Sequence, residues 1–122
     1  SPTYLNAYAY TLALQNRRLD DARRFVEHAL EYAPEQASIL DTLGFICYLQ
    51  NDFSTSAEVL EKAYLISGSV NIGVRYARSV YMLGDLQKFS TVLQQLKQKH
   101  PNDPQLDQLN TLLLPQQLKK SS

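Results

Sequence analysis

The chain has 122 residues, with 12 Lys and Arg set against 12 Asp and Glu, so its formal net charge is zero. That length makes one domain able to bury a core without disulfides or a metal, and the charge balance argues against nucleic acid and against a polybasic membrane-surface binder. One cysteine, Cys47, leaves no internal disulfide to form, and no apolar stretch exceeds a few residues, far short of a membrane span.

The chain starts at Ser1 without a Met and without a charged-then-apolar leader. It reads as a processed protein or an excised domain, in a cytoplasmic or periplasmic compartment that the sequence leaves open. The first apolar segment, LNAYAYTLALQN at 5–16, returns as LDTLGFICYLQN at 40–51. Leu5/Leu40, Leu14/Leu49, Gln15/Gln50 and Asn16/Asn51 are identical at an offset of 35. The segment after it pairs Leu19/Phe53, Ala22/Ser56, Val26/Leu60 and Ala29/Ala63 at an offset of 34. One extra residue in the first turn, Arg17 or Arg18, accounts for the change. A third copy follows at 33, pairing Leu43-Gly44 with Tyr76-Ala77, Asn51 with Gly84, Phe53 with Leu86 and Leu60 with Leu93.

Each copy predicts two helices joined by a short polar turn. In the second copy Leu40, Leu43, Gly44 and Cys47 form one apolar stripe at helical spacing, and Leu60, Ala63 and Tyr64 form the next. Gln50-Asn51-Asp52 breaks between them, and Gly84-Asp85 does so in the third copy. Pro34, Gly68 and His100-Pro101 end the three copies, because proline cannot continue a helix and glycine tolerates the left-handed cap. Asp103-Pro104 starts a seventh helix with an N-cap and a first-turn proline. Leu106, Leu109, Leu112 and Leu113 form its stripe, which predicts a cap over the last repeat. Pro115 ends it, and residues 115–122 are expected to be a flexible tail. No segment alternates with period two between hairpin turns, so no sheet is expected.

Taken together, the large and small residues resemble the tetratricopeptide repeat (TPR) family, whose unit is about 34 residues and two antiparallel helices. They are Tyr8, Ala9, Leu12, Leu19, Ala22, Val26, Ala29 and Pro34 in the first copy. The second copy supplies Leu40, Leu43, Gly44, Cys47, Phe53, Ser56, Leu60 and Ala63. In the third they are Gly73, Tyr76, Ala77, Val80, Leu86, Phe89, Leu93, Leu96 and Pro101, with Phe89 and Leu96 where the family prefers alanine. The resemblance implies an all-α, right-handed solenoid of three helix pairs plus a capping helix, occupying 1–114. Its repeats would span about 3–36, 37–69 and 70–102, and the cap 103–114. The wording of residues 5–34 and 39–45 also looks like TPR arrays of bacterial envelope-assembly proteins in polysaccharide export, pilus assembly and secretion.

In such arrays the first helix of each pair lines a concave face. Helical spacing beside the buried stripe then places Asn6, Tyr10 and Ala13, Asp41, Phe45 and Tyr48, and Val74, Arg75, Arg78 and Tyr81 on it. Tyr and Arg are the residue types that anchor interfaces. The expected partner is an extended peptide or short helix of another protein, with Asn6, Tyr10, Asp41, Phe45, Tyr48, Arg75, Arg78 and Tyr81 as candidate contacts. Packing of Phe45 or Tyr48 between repeats, and pairing of the arginines with nearby acids, stay open as the alternatives. Chaperone-binding members of the family hold a C-terminal carboxylate with Lys, Asn and Arg. The matching positions here are Asn6, Tyr10, Thr42, Asn71 and Arg75, of which only Arg75 fits, so that acidic tail is not the expected ligand.

Residues 1–61 carry four Arg against nine acids, a balance of −5, while residues 62–122 carry eight bases against three acids, a balance of +5. Drift on solvated faces explains this most simply; head-to-tail self-association, or a place inside a longer array, is the structural alternative. Asp20→Arg24 and Arg23→Glu27 read as solvent-facing i,i+4 pairs on a convex face. Gly68–Gly73 lacks the Lys and Ser/Thr of a phosphate loop, and no serine sits in a nucleophile elbow. His28 and His100 have no metal-ligand spacing with Cys47, which reads as an inert core thiol. Neither an enzyme nor a bound cofactor or metal is expected.

Overall fold

The structure is a computed structural model that describes residues 1–114, so the expected tail at 115–122 lies outside the described residues. Seven helices follow one another: α1 (Pro2–Leu14), α2 (Leu19–Tyr32), α3 (Ala37–Leu49), α4 (Phe53–Ser67), α5 (Val70–Met82), α6 (Leu86–Lys99) and α7 (Pro104–Asn110). No strand occurs among the described residues, and none of their helices is long and apolar enough to cross a membrane.

The turns show why the repeat takes this shape. Asn16, Asn51 and Gly84 occupy equivalent positions after the first helix of each pair, and all three have left-handed φ, at 51°, 63° and 84°. Asn and Gly are the residues that enter this region at least cost. The first turn holds one more left-handed residue, Arg18 at φ 47°, which is where the extra residue of the first copy is absorbed. Asp52, Asp85 and Asp103 then cap α4, α6 and α7, accepting from the backbone N–H of Thr55, Lys88 and Gln105 at 3.2, 3.0 and 2.9 Å. Gly68 closes α4 with φ 66°.

Neighbouring helices pack in sequence, so each stripe is covered by the helices before and after it. One core joins α1, α2 and α3 around Val26, Ile39 and Ile46; the next joins α3 to α7 around Leu60, Phe89 and Leu96. Gly44 is required at the α3–α4 crossing, because a Cβ there would collide with the Leu60 side chain. Gly73 plays the same part against Leu96 and Tyr64. Ser56 is buried at the same crossing, where its Oγ donates to the Gly44 carbonyl at 2.7 Å and lies 2.8 Å from Ser79 Oγ on α5. A polar link therefore ties three helices where small residues alone were expected. With bulky Phe89 and Leu96 between them, α5 and α6 approach less closely than the earlier pairs.

Three details depart from the sequence pattern. Tyr8 and Leu86, read as core positions, are 38% and 53% exposed. Arg24 pairs with Asp21 rather than Asp20, whose carboxylate accepts instead from Gln50 Nε2, just past the end of α3, at 2.7 Å. The last helix stops at Asn110 and tightens into a 3-10 turn over Thr111–Leu113, leaving Leu113 exposed. Leu114 is extended, with ψ 149°, as expected of a residue followed by proline.

Candidate functional site

The first helices of the repeats adjoin one another, and α3, α5 and α7 enclose a groove. Phe45 and Tyr48 are one turn apart on α3, and Val74, Arg75 and Arg78 face them from α5. Together they border a cavity of about 400 Å³ whose floor is Gly44 and Leu60. One end is closed by Asn71 and Gln105, with Gln105 Nε2 donating to Asn71 Oδ1 at 2.8 Å. Gln105 lies outside the Leu106–Leu113 stripe from which the cap is read. Its position in the first turn of α7, directly after Pro104, was the available signal.

Within the groove the two arginines differ. Arg75 Nη1 donates to both carboxylate oxygens of Asp41, 3.2 Å each, and its guanidinium stacks over the Phe45 ring at 4.7 Å from the centroid. Burial raises the Asp41 carboxyl above its ordinary value, and Arg75 opposes that rise. Arg75 therefore has its acid inside the molecule. Arg78, one turn further and half-buried, makes no hydrogen bond or ion pair among the described residues. Its hydrogen-bond donors stand at the cavity wall without an acceptor among the described residues.

The structure brings Phe45, Tyr48, Arg75 and Arg78 together around the cavity and sets Tyr10 and Asp41 behind them. Tyr10 leans on Phe45, with centroids 6.1 Å apart. Asn6 and Tyr81 do not line the cavity. Asn6 has a buried side-chain oxygen without a partner, and Tyr81 packs edge-on against Phe89 at 5.3 Å. Tyr48 also packs edge-on, against Phe53 at 5.2 Å, so it is both a packing residue and a wall of the groove. Val74 and Ala13, placed on the concave face from spacing, are buried.

A second depression lies over the turns between α1 and α2 and between α3 and α4. Arg23 Nη1 donates to Asp52 Oδ2 at 3.0 Å and to Gln50 Oε1 at 3.1 Å, and Arg18 Nε donates to Asp21 at 2.9 Å. The expected Arg23–Glu27 pair forms as well, at 3.7 Å, so Arg23 joins it to the contacts that reach the second repeat. Cys47 is fully buried, and burial pushes its thiol up to about 11, so it is protonated and shielded at neutral pH. Among the described residues no group of three His, Cys, Asp or Glu side chains could hold a metal ion.

No family model matches the chain, and no curated protein matches it. Solved structures do. The second TPR domain of human RPAP3, solved by NMR in complex with the HSP70 peptide SGPTIEEVD, superposes with a TM-score of 0.79 at 11% sequence identity. The match covers 94% of this chain and 100% of that one. The chain thus has the fold of a TPR domain: an all-helical stack of antiparallel pairs.

Proposed function

We propose that residues 1–114 form a non-catalytic scaffold that binds a peptide or short helix of a partner protein in the groove between α3 and α5. The carrying observation is Arg78, a half-buried cation at an aromatic-walled cavity with no partner among the described residues. A bound segment would place an apolar or aromatic side chain between Phe45, Tyr48 and Val74. It would also bring one carboxylate to Arg78, completing a charge-assisted pair. The solved RPAP3 domain, with its HSP70 peptide, supports a peptide-binding role for this architecture. That peptide ends in EEVD, and the tail it represents is not the ligand proposed here, because Asn6, Tyr10, Thr42 and Asn71 are not cations and Arg75 is taken by Asp41. The proposed groove contacts are Phe45, Tyr48, Arg75 and Arg78, with Tyr10 and Asp41 behind them and Asn6 and Tyr81 outside the cavity. An envelope-assembly setting rests on the wording of residues 5–34 and 39–45 alone.

Selection from a random-peptide display library against the whole chain tests this reading. Asp or Glu next to an aromatic or aliphatic residue should be enriched. Arg78→Glu should reverse the preference to Lys or Arg. If both chains select the same sequences, or neither selects any, the groove is not the binding site.

A further inference from the structure

At the closed end of the groove, Asn71 in the first turn of α5 meets Gln105 in the first turn of α7, and Gln105 Nε2 donates to Asn71 Oδ1 at 2.8 Å. A primary amide carries both an amino group and a carbonyl. One bond between two of them leaves the Asn71 amino group and the Gln105 carbonyl without a partner among the described residues. Turning both amides over exchanges their parts and still leaves one amino group and one carbonyl. Both side chains border the cavity that Arg78 borders. A peptide unit, with one C=O and one N–H, is the group that satisfies both at once. A helix spends those backbone groups on itself and offers them only at its ends. A terminal carboxylate accepts from the Asn71 amino group but sets its other oxygen against the Gln105 carbonyl.

We propose that the partner segment lies in the groove in extended form, with Asn71 and Gln105 binding its backbone; this rests on the peptide-binding role proposed for the groove. Asn71 precedes Arg78 by seven residues on α5, about 10 Å along the helix axis. An extended chain covers that distance in about three residues, whereas a helix needs seven. The acid that meets Arg78 and the peptide unit that meets the two amides therefore sit about three residues apart. The apolar side chain between them lies against Phe45 and Val74. At the amide end the segment is recognised through its backbone, so its side chain there is free to vary. The partner motif is then short: one acid, one apolar residue, and a neighbouring position with no required side chain.

An N-methyl scan on the whole chain tests this. The probe is a linear peptide selected on the chain, shown to need Arg78 and made with an amidated C terminus. Methylating one backbone nitrogen, two to four residues from the acid, should weaken binding about five- to tenfold, because it removes the donor that meets the amide pair. In Asn71→Ala with Gln105→Ala the unmethylated peptide should lose about as much. The same methylation should then cost less than about twofold, since the group it addressed is gone. The variant should melt like the parent, because the two side chains share one exposed hydrogen bond. Should it not fold, Asn71→Leu with Gln105→Met keeps the bulk, removes the same groups and carries the same cycle. A methylation penalty equal in parent and variant, or a peptide that turns helical on binding, overturns the proposal, while binding that still needs Arg78 leaves the groove standing. If no peptide needs Arg78, both fall.

Discussion

The depression over the α1–α2 and α3–α4 turns measures about 920 Å³ and the groove between α3 and α5 about 400 Å³, and the two use charge in opposite ways. Around the larger one, Asp21 holds Arg18 and Arg24, Asp52 and Glu27 hold Arg23, and Gln50 bridges Arg23 to Asp20. Those charges stitch the first repeat to the second and leave little for a ligand to satisfy. In the smaller one, Asp41 satisfies Arg75 and Arg78 is left over. Size and charge density would choose the first surface. Unsatisfied hydrogen-bonding capacity beside apolar walls chooses the second.

The largest expected effect comes from filling the groove floor. Gly44→Val places carbon atoms where the Leu60 side chain lies, and Leu60 is fully buried, so it can give way only into the cavity it borders. Overpacking of this kind should cost about 3 kcal/mol, or roughly 10 °C in melting temperature. The network over the turns should persist up to the melt. A loss below about 1 kcal/mol would mean that Leu60 turns aside into the groove at little cost.

Next in size is Asp52→Ala on the other surface. Hydrogen bonding from Thr55, then from Arg23, holds the Asp52 carboxyl below the ordinary carboxylate range. Its folded value is lowered, so its stabilisation is complete above the unfolded value near 4 and is lost as pH falls through the folded value. Most of the effect belongs to the α4 cap, since the pair with Arg23 is partly solvated. The variant should lose about 1 to 2 kcal/mol at pH 7. The gap to the parent should close toward about pH 2. A gap constant across that range would remove the carboxylate from the account.

The helices and their pairing were legible because the repeat states each constraint three times. One apolar stripe can be read several ways, but Leu43 and Cys47 recurring as Tyr76 and Val80 leave one register. The groove was half legible. Spacing found Phe45, Tyr48, Arg75 and Arg78, since a helix face follows from period alone. It could not say that Asp41, 34 residues from Arg75, takes that arginine, because such pairs depend on how two helices cross. Gln105 was missed for the same reason: it belongs to α7 and meets Asn71 only through packing. Tyr8 was misplaced because the pattern marks a buried position without saying whether a neighbour covers it.

The smallest effect on stability is the sharpest test of the comparison. Arg75→Ala leaves Asp41 half-buried without its cation and should cost about 1 kcal/mol at pH 7. Asp41 already titrates above its ordinary value through burial, so losing Arg75 raises it further, and the penalty should vanish in acid as the carboxyl takes its proton. Arg78→Ala, one turn away on the same helix, removes an equal charge with no partner among the described residues. It should change stability by less than about 0.5 kcal/mol, with no pH dependence. The same variant should weaken binding of a selected acidic peptide about ten- to a hundredfold, the worth of one charge-assisted hydrogen bond. If instead Arg78→Ala destabilises the fold as much as Arg75→Ala, the side chain has a structural partner. The groove would then be no more available to a ligand than the turns are.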